Sequence, residues 1–185
     1  MVRFLEDIIS KISSFIKQSN KLVILGIGNY LKSDDGFGIY VIESLVKNYE
    51  KSFKDVNLEK EVNIITDRLT LINSGVVPEN FTDVLKRENP DKIIMIDAAL
   101  MKQKPGTLRI VESEEISETG FSTHALPLTI IIKYIKSYIN TEILIIGIEP
   151  TDLTFGEPLS GIIKEEADKF SEIFIKELDS FLLNS

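Results

Sequence analysis

With 185 residues, 43% of them hydrophobic and 27% charged, the chain has the size and composition of one globular domain with a real core. Its formal charge of −8, from 21 lysines and arginines against 29 acids, argues against a nucleic-acid partner or an anionic membrane surface. The absence of cysteine excludes disulfides, zinc–thiolate sites and a thiol nucleophile.

Acids and lysines interrupt the amino-terminal segment too often for a signal peptide, and no apolar run approaches the roughly 18 residues that span a bilayer. The expectation is a cytoplasmic protein with no membrane partner. Residues 3–17 place Phe4, Ile8, Ile12 and Phe15 at helical spacing, an amphipathic helix that packs either on the body or on a partner. "KLVILGIGN" (21–29) is a short buried strand ending in glycines. A helix over about residues 37–48 follows, with Ile39, Val41, Ile42, Leu45 and Val46 inward.

"EVNIITD" (61–67) and "DKIIMIDAA" (91–99) form the second and third strands, with a crossover helix between Pro78 and Pro90. "KPGTLRIVE" (104–112) is a turn into a fourth strand at an edge. Ser122 or Thr123 caps a helix over about residues 127–138, whose buried side is Leu128, Ile131, Ile132 and Ile135. "EILIIGIEP" (142–150) is the fifth strand, and Ile163, Ala167, Phe170, Phe174, Leu178 and Phe181 mark a long closing helix. This alternation predicts a three-layer α/β/α domain around a largely parallel five-stranded sheet.

Ligands of open parallel sheets bind beyond the carboxyl ends of the strands. Asp34 and Asp35, in "GIGNYLKSDDGFG" (26–38), and Asp97, at the end of the third strand, fall on that edge. Converging carboxylates need a cation or raised pKa values, so acids in a cleft mark a candidate metal site. Asp34 is read as a helix N-terminal acid, worth about 0.3–1 kcal/mol against the helix dipole, and Asp35 as the metal donor. The single histidine, His124 in "GFSTHALPL", precedes a helix that can overhang the same edge. Taken alone it reads as a surface or hydrogen-bonded structural histidine, and Asp97 alone as either a capping or turn aspartate or a functional one. Together with Asp35 they make a three-donor set with vacancies, open to zinc, nickel, iron, cobalt or manganese. The glycine loop itself is not a nucleotide signature: Leu31 stands where a dinucleotide fingerprint needs its third glycine, and no Gly-Lys-Ser or Gly-Lys-Thr follows.

The ordered motifs "GIGNYLKSDDGFG", "IMIDAA", "KPGTLRI", "STHALPL" and "GIEP", spread over about residues 21–165, resemble those of the hydrogenase maturation endopeptidases. They are most similar to the branch acting on hydrogenase 3 and on the F420-reducing enzymes. The resemblance implies metal donors at Asp35, Asp97 and His124, with the nickel carried by the substrate and no organic cofactor. It implies an aspartyl-type endopeptidase that trims the carboxyl-terminal extension of a nickel–iron hydrogenase large-subunit precursor. Gly28 and Asn29 would line the cleft where the peptide enters. Two features depart from the family's pattern: Asp67 is followed by Arg68, Leu69 and Thr70 instead of two glycines, and the amino-terminal helix is extra.

No Ser-His-Asp order or His-Glu-x-x-His helix is present, and nothing marks Ser122 as activated. The expected chemistry is metal-assisted amide hydrolysis with Asp35 as general base, or hydrolysis in which nickel only positions the substrate. A small-molecule metal hydrolase and a nucleotide- or metal-binding module stand as the alternatives.

Overall fold

In this computed structural model the structure describes residues 2–112, 115, 120–121 and 127–183. The first β-α unit matches its apolar pattern: β1 (Leu22–Ile27) is buried throughout, and α2 (Phe37–Tyr49) turns eight buried residues toward the sheet. Glycine allows that contact. A Cβ on Gly38 would stand 2.1 Å from the Ile96 carbonyl and 2.4 Å from that of Ile27, so α2 begins directly against two neighbouring strands.

The strands in chain order are β1, β2 (Val62–Ile64), β3 (Leu69–Gly75), β4 (Lys92–Leu100), β5 (Leu108–Val111), β6 (Gly120–Phe121) and β7 (Glu142–Ile148). The main sheet runs β2-β3-β1-β4-β7-β5, and β6 pairs with the far end of β4. β3, β1, β4 and β7 are parallel, while β2 and β5 close the two edges in antiparallel sense. The three-layer fold and largely parallel sheet are as expected, but the path has six strands rather than five.

The extra strand corrects the reading of residues 61–75. Only Val62–Ile64 of "EVNIITD" is extended, as a short edge strand, and the parallel neighbour of β1 is Leu69–Gly75, a segment to which the sequence pattern assigns no strand. Polar residues hide this strand because their partners lie elsewhere. Asn73 donates its backbone N–H to the Glu61 carbonyl (2.8 Å), and the Ser74 hydroxyl donates to the Gly26 carbonyl (2.9 Å). A hydroxyl satisfied in this way, as on Ser74, can occupy a buried strand.

Alternation along the strands feeds two cores. Leu22 and Ile24 of β1, and Ile94, Ile96 and Ala98 of β4, pack with α1 (Val2–Lys17), α2 and α5 (Gly161–Leu183). Val23, Leu25, Ile93 and Met95 pack with α3 (Thr82–Glu88) and α4 (Leu128–Tyr138). α1 packs on the body, sinking Ile8, Ile12 and Ile16 into the first core. The N-cap position of α4 is Pro127; Ser122 and Thr123, expected to cap it, lie outside the described residues. Among the described residues no helix is long and apolar enough to cross a membrane.

Candidate active site

The segment after β1 is built around glycine. Gly28 has φ +144°, and a Cβ there would lie 1.8 Å from the Asp35 carbonyl oxygen. Its N–H donates to the Gly75 carbonyl at the end of β3 (3.0 Å). Asn29 donates its N–H to the Asp35 carbonyl (3.1 Å), while its side-chain oxygen accepts from the Leu31 N–H (2.9 Å), an Asx turn. The Lys32 carbonyl accepts from the Asp35 N–H (3.0 Å). The chain therefore folds back on itself and enters a 3-10 turn, Ser33–Gly36, whose four residues are all buried.

Asp34 and Asp35, adjacent in sequence, have separate surroundings. The Asp34 carboxylate reaches more than a hundred residues along the chain. Its Oδ2 accepts from the N–H groups of Thr151 (2.8 Å) and Asp152 (2.9 Å) and from the Ser160 hydroxyl (3.0 Å), and its Oδ1 accepts from the Ser160 N–H (2.7 Å). The expected helix N-terminal role thus falls on a different helix: Asp34 sits at the start of α5, where the dipole also favours a negative charge. Asp35 is fully buried in the same turn.

Asp97 is also fully buried, within β4 and not beyond its end. Gly26 of β1 is in register with Ile96, so Asp97 is level with Ile27, the last residue of β1. Its Oδ1 accepts from the Ala98 N–H (2.8 Å). The 3-10 turn carrying Asp35 packs against β4, so both carboxylates belong to the carboxyl edge of the central β1–β4 pair. Strand alternation assigns Asp97 to the face covered by α3 and α4. His124, the expected third donor, lies outside the described residues just before α4. Among the described residues no group of three or more His, Asp or Glu side chains is arranged to hold a metal ion.

Gly28 is buried and Asn29 half-buried, and both act on the turn through the backbone contacts above. Beside them Tyr30 and Leu31 are exposed, and the Leu31 carbonyl accepts from the Gly156 N–H (2.7 Å). Partial desolvation of its phenol end and the hydrogen-bonded Glu43 carboxylate nonetheless push the Tyr30 phenol above its ordinary range.

Glu149 has no role in the sequence reading. It follows β7 directly and is buried, and its Oε2 accepts from the N–H groups of Met101 (2.7 Å) and Gln103 (3.0 Å). It therefore ties down the segment after β4, downstream of Asp97. An acid immediately after a buried parallel strand was the available signal. Its partners, nearly fifty residues away, were not.

A statistical model of the hydrogenase maturation protease family matches residues 39–177. A Methanocaldococcus jannaschii protein provisionally named a hydrogenase maturation protease is 42% identical over 91% of this chain and 94% of its own. The hydrogenase 3 maturation protease of Escherichia coli is 26% identical over 79% of this chain and 83% of its own. The crystal structure of a nickel–iron hydrogenase maturation protease from Thermococcus kodakarensis superposes with a TM-score of 0.75 at 29% identity, covering 91% of this chain and 99% of that one.

Proposed function

The chain belongs to the hydrogenase maturation protease family, and on that premise we propose that it removes a carboxyl-terminal extension from the nickel-loaded precursor of a nickel–iron hydrogenase large subunit. The single observation that carries the site reading is the burial of two carboxylates, Asp35 in the turn that follows β1 and Asp97 in the neighbouring β4, level with the last residue of β1. A cation brought by the substrate would be favoured beside two buried carboxylates.

In this reading Asp35, Asp97 and His124 receive the nickel carried by the substrate. Two carboxylates and an imidazole are suitable donors for that ion. Bound there, the ion supplies a positive centre beside the bond to be cut. Asp35 takes the proton of the attacking water as general base, and Asp97 fixes the geometry from within a rigid central strand. The Asn29 and Gly28 segment borders the same turn and contacts the entering peptide. Nickel recognition makes cleavage conditional on metal insertion, because a precursor without the ion lacks the group these donors grip.

The test is processing of a nickel-loaded precursor by Asp35→Ala, Asp97→Ala and His124→Ala. Each should lower the rate by at least about a hundredfold, the lower end of what a positioned acid–base group contributes. Folded variants that cut at the wild-type rate would remove the assigned roles.

A further inference from the structure

Asp34 is fully buried next to the proposed general base, but it has no part in the ligand set. Four hydrogen bonds reach its carboxylate from the 151–160 segment, which leads from β7 to α5. The same segment meets the turn through backbone and hydroxyl groups. The Asp34 N–H donates to the Asp152 carbonyl (3.1 Å), the Ser33 N–H to the Glu157 carbonyl (3.0 Å), and the Ser33 hydroxyl to the Pro158 carbonyl (2.8 Å).

Those contacts hold a conformation the sequence does not favour. Ser33 has φ +46°, in the left-handed region, where a residue with a side chain loses about 1–2 kcal/mol relative to the right-handed one. Such a residue keeps its conformation only when its surroundings over-determine it. On one side of Asp35 the Asn29 and Lys32 backbone contacts fix its peptide; on the other, the 151–160 segment fixes Ser33 and Asp34.

We infer that Asp34 is a positioning residue: by gripping the 151–160 segment and the start of α5, it holds the strained turn in the conformation from which Asp35 acts. The inference rests on the role given to Asp35 above. Asparagine at position 34 is the sharpest probe. Its single oxygen can keep the Oδ2 contacts, but its NH2 group then faces the Ser160 N–H, donor against donor.

A matched control exists at the opposite edge of the sheet. The Asp91 carboxylate accepts from the Ser19 hydroxyl (3.0 Å) and from the N–H groups of Asn20 (3.0 Å) and Lys21 (2.7 Å), stapling the entrances of β1 and β4. Asp91→Asn damages a similar staple far from Asp35.

The experiment measures kcat and KM for precursor processing by the full-length chain, per folded molecule, below every melting transition. For Asp34→Asn we expect kcat to fall on the order of 10- to 100-fold with KM changed by less than about threefold, as for a misplaced catalytic group. Ser160→Ala should show a smaller fall in kcat of the same kind, while Asp91→Asn should lower the melting temperature and leave kcat unchanged. Wild-type kcat in folded Asp34→Asn overturns the inference, as does an equal kcat loss in Asp91→Asn. Should Asp34→Asn not fold, wild-type kcat in Ser160→Ala overturns it. If the wild type leaves the precursor uncut, or Asp35→Ala cuts it normally, the functional reading fails and takes this inference with it.

Discussion

A single methyl group at Gly28 should separate stability from activity at this site. In Gly28→Ala the new Cβ would lie 1.8 Å from the Asp35 carbonyl oxygen, against the roughly 3.0 Å that real Cβ contacts respect, so the two must part by about 1.2 Å. The obstacle is backbone and cannot swing aside. Parting them breaks the Asn29–Asp35 hydrogen bond, worth about 0.5–1.5 kcal/mol. Holding alanine at φ +144° adds about 1–3 kcal/mol of strain. The sum, about 1.5–4.5 kcal/mol, is below the usual 5–15 kcal/mol of a folded domain, so the variant folds with a lower urea midpoint. Its kcat should fall much further, on the order of a hundredfold, because a shift of about 1 Å at a catalytic group has that effect. Urea unfolding and single-turnover processing, run in parallel with Gly75→Ala, isolate the steric part: Gly75 also has positive φ, +54°, but a Cβ there meets nothing within 4 Å. If Gly28→Ala were as stable as Gly75→Ala and cut at the wild-type rate, the packing of Asp35 against Gly28 would have no functional meaning.

Three further outcomes are expected. Ile12 of α1 is fully buried in the core shared with α5, so Ile12→Ala should lose about 2–5 kcal/mol in urea unfolding and leave kcat per folded molecule unchanged; a loss near zero would mean that α1 is dispensable packing. Burial raises the Asp91 carboxyl, but hydrogen bonds from Asn20, Lys21 and Ser19 outweigh it and hold the folded value below the ordinary range. A depressed carboxyl stabilises the fold above its unfolded pKa of about 3.9 and stops doing so as pH falls through the folded value. The stability gap between wild type and Asp91→Asn should therefore be full at neutral pH and close below about pH 4; a gap of equal size across the whole range would contradict the assignment. Gly38→Ala should be strongly destabilising, because its Cβ would meet two strand carbonyls within 2.4 Å, and urea midpoints check this directly.

Much of this architecture could be read from the sequence because buried parallel strands need continuous apolar runs, and β1, β4 and β7 have them. β3 is hard to read because Thr70, Asn73 and Ser74 interrupt its apolar pattern, and the buried Ser74 hydroxyl finds its partner, the Gly26 carbonyl, on a neighbouring strand remote in sequence. The same limit applies at the site. A buried acid in a glycine-rich loop and another on a central strand were recognisable as candidates. What distinguishes Asp34 from Asp35 is contact with Thr151, Asp152 and Ser160, which no local pattern carries. Glu149 is hidden in the same way, since its partners Met101 and Gln103 lie nearly fifty residues away in sequence.

The most direct test of the central claim is intact-mass measurement of a nickel–iron hydrogenase large-subunit precursor incubated with this protein, once loaded with nickel and once without. The account predicts that only the nickel-loaded precursor becomes shorter, by a single carboxyl-terminal peptide. Equal shortening of the nickel-free form, or no shortening of either form, would contradict it.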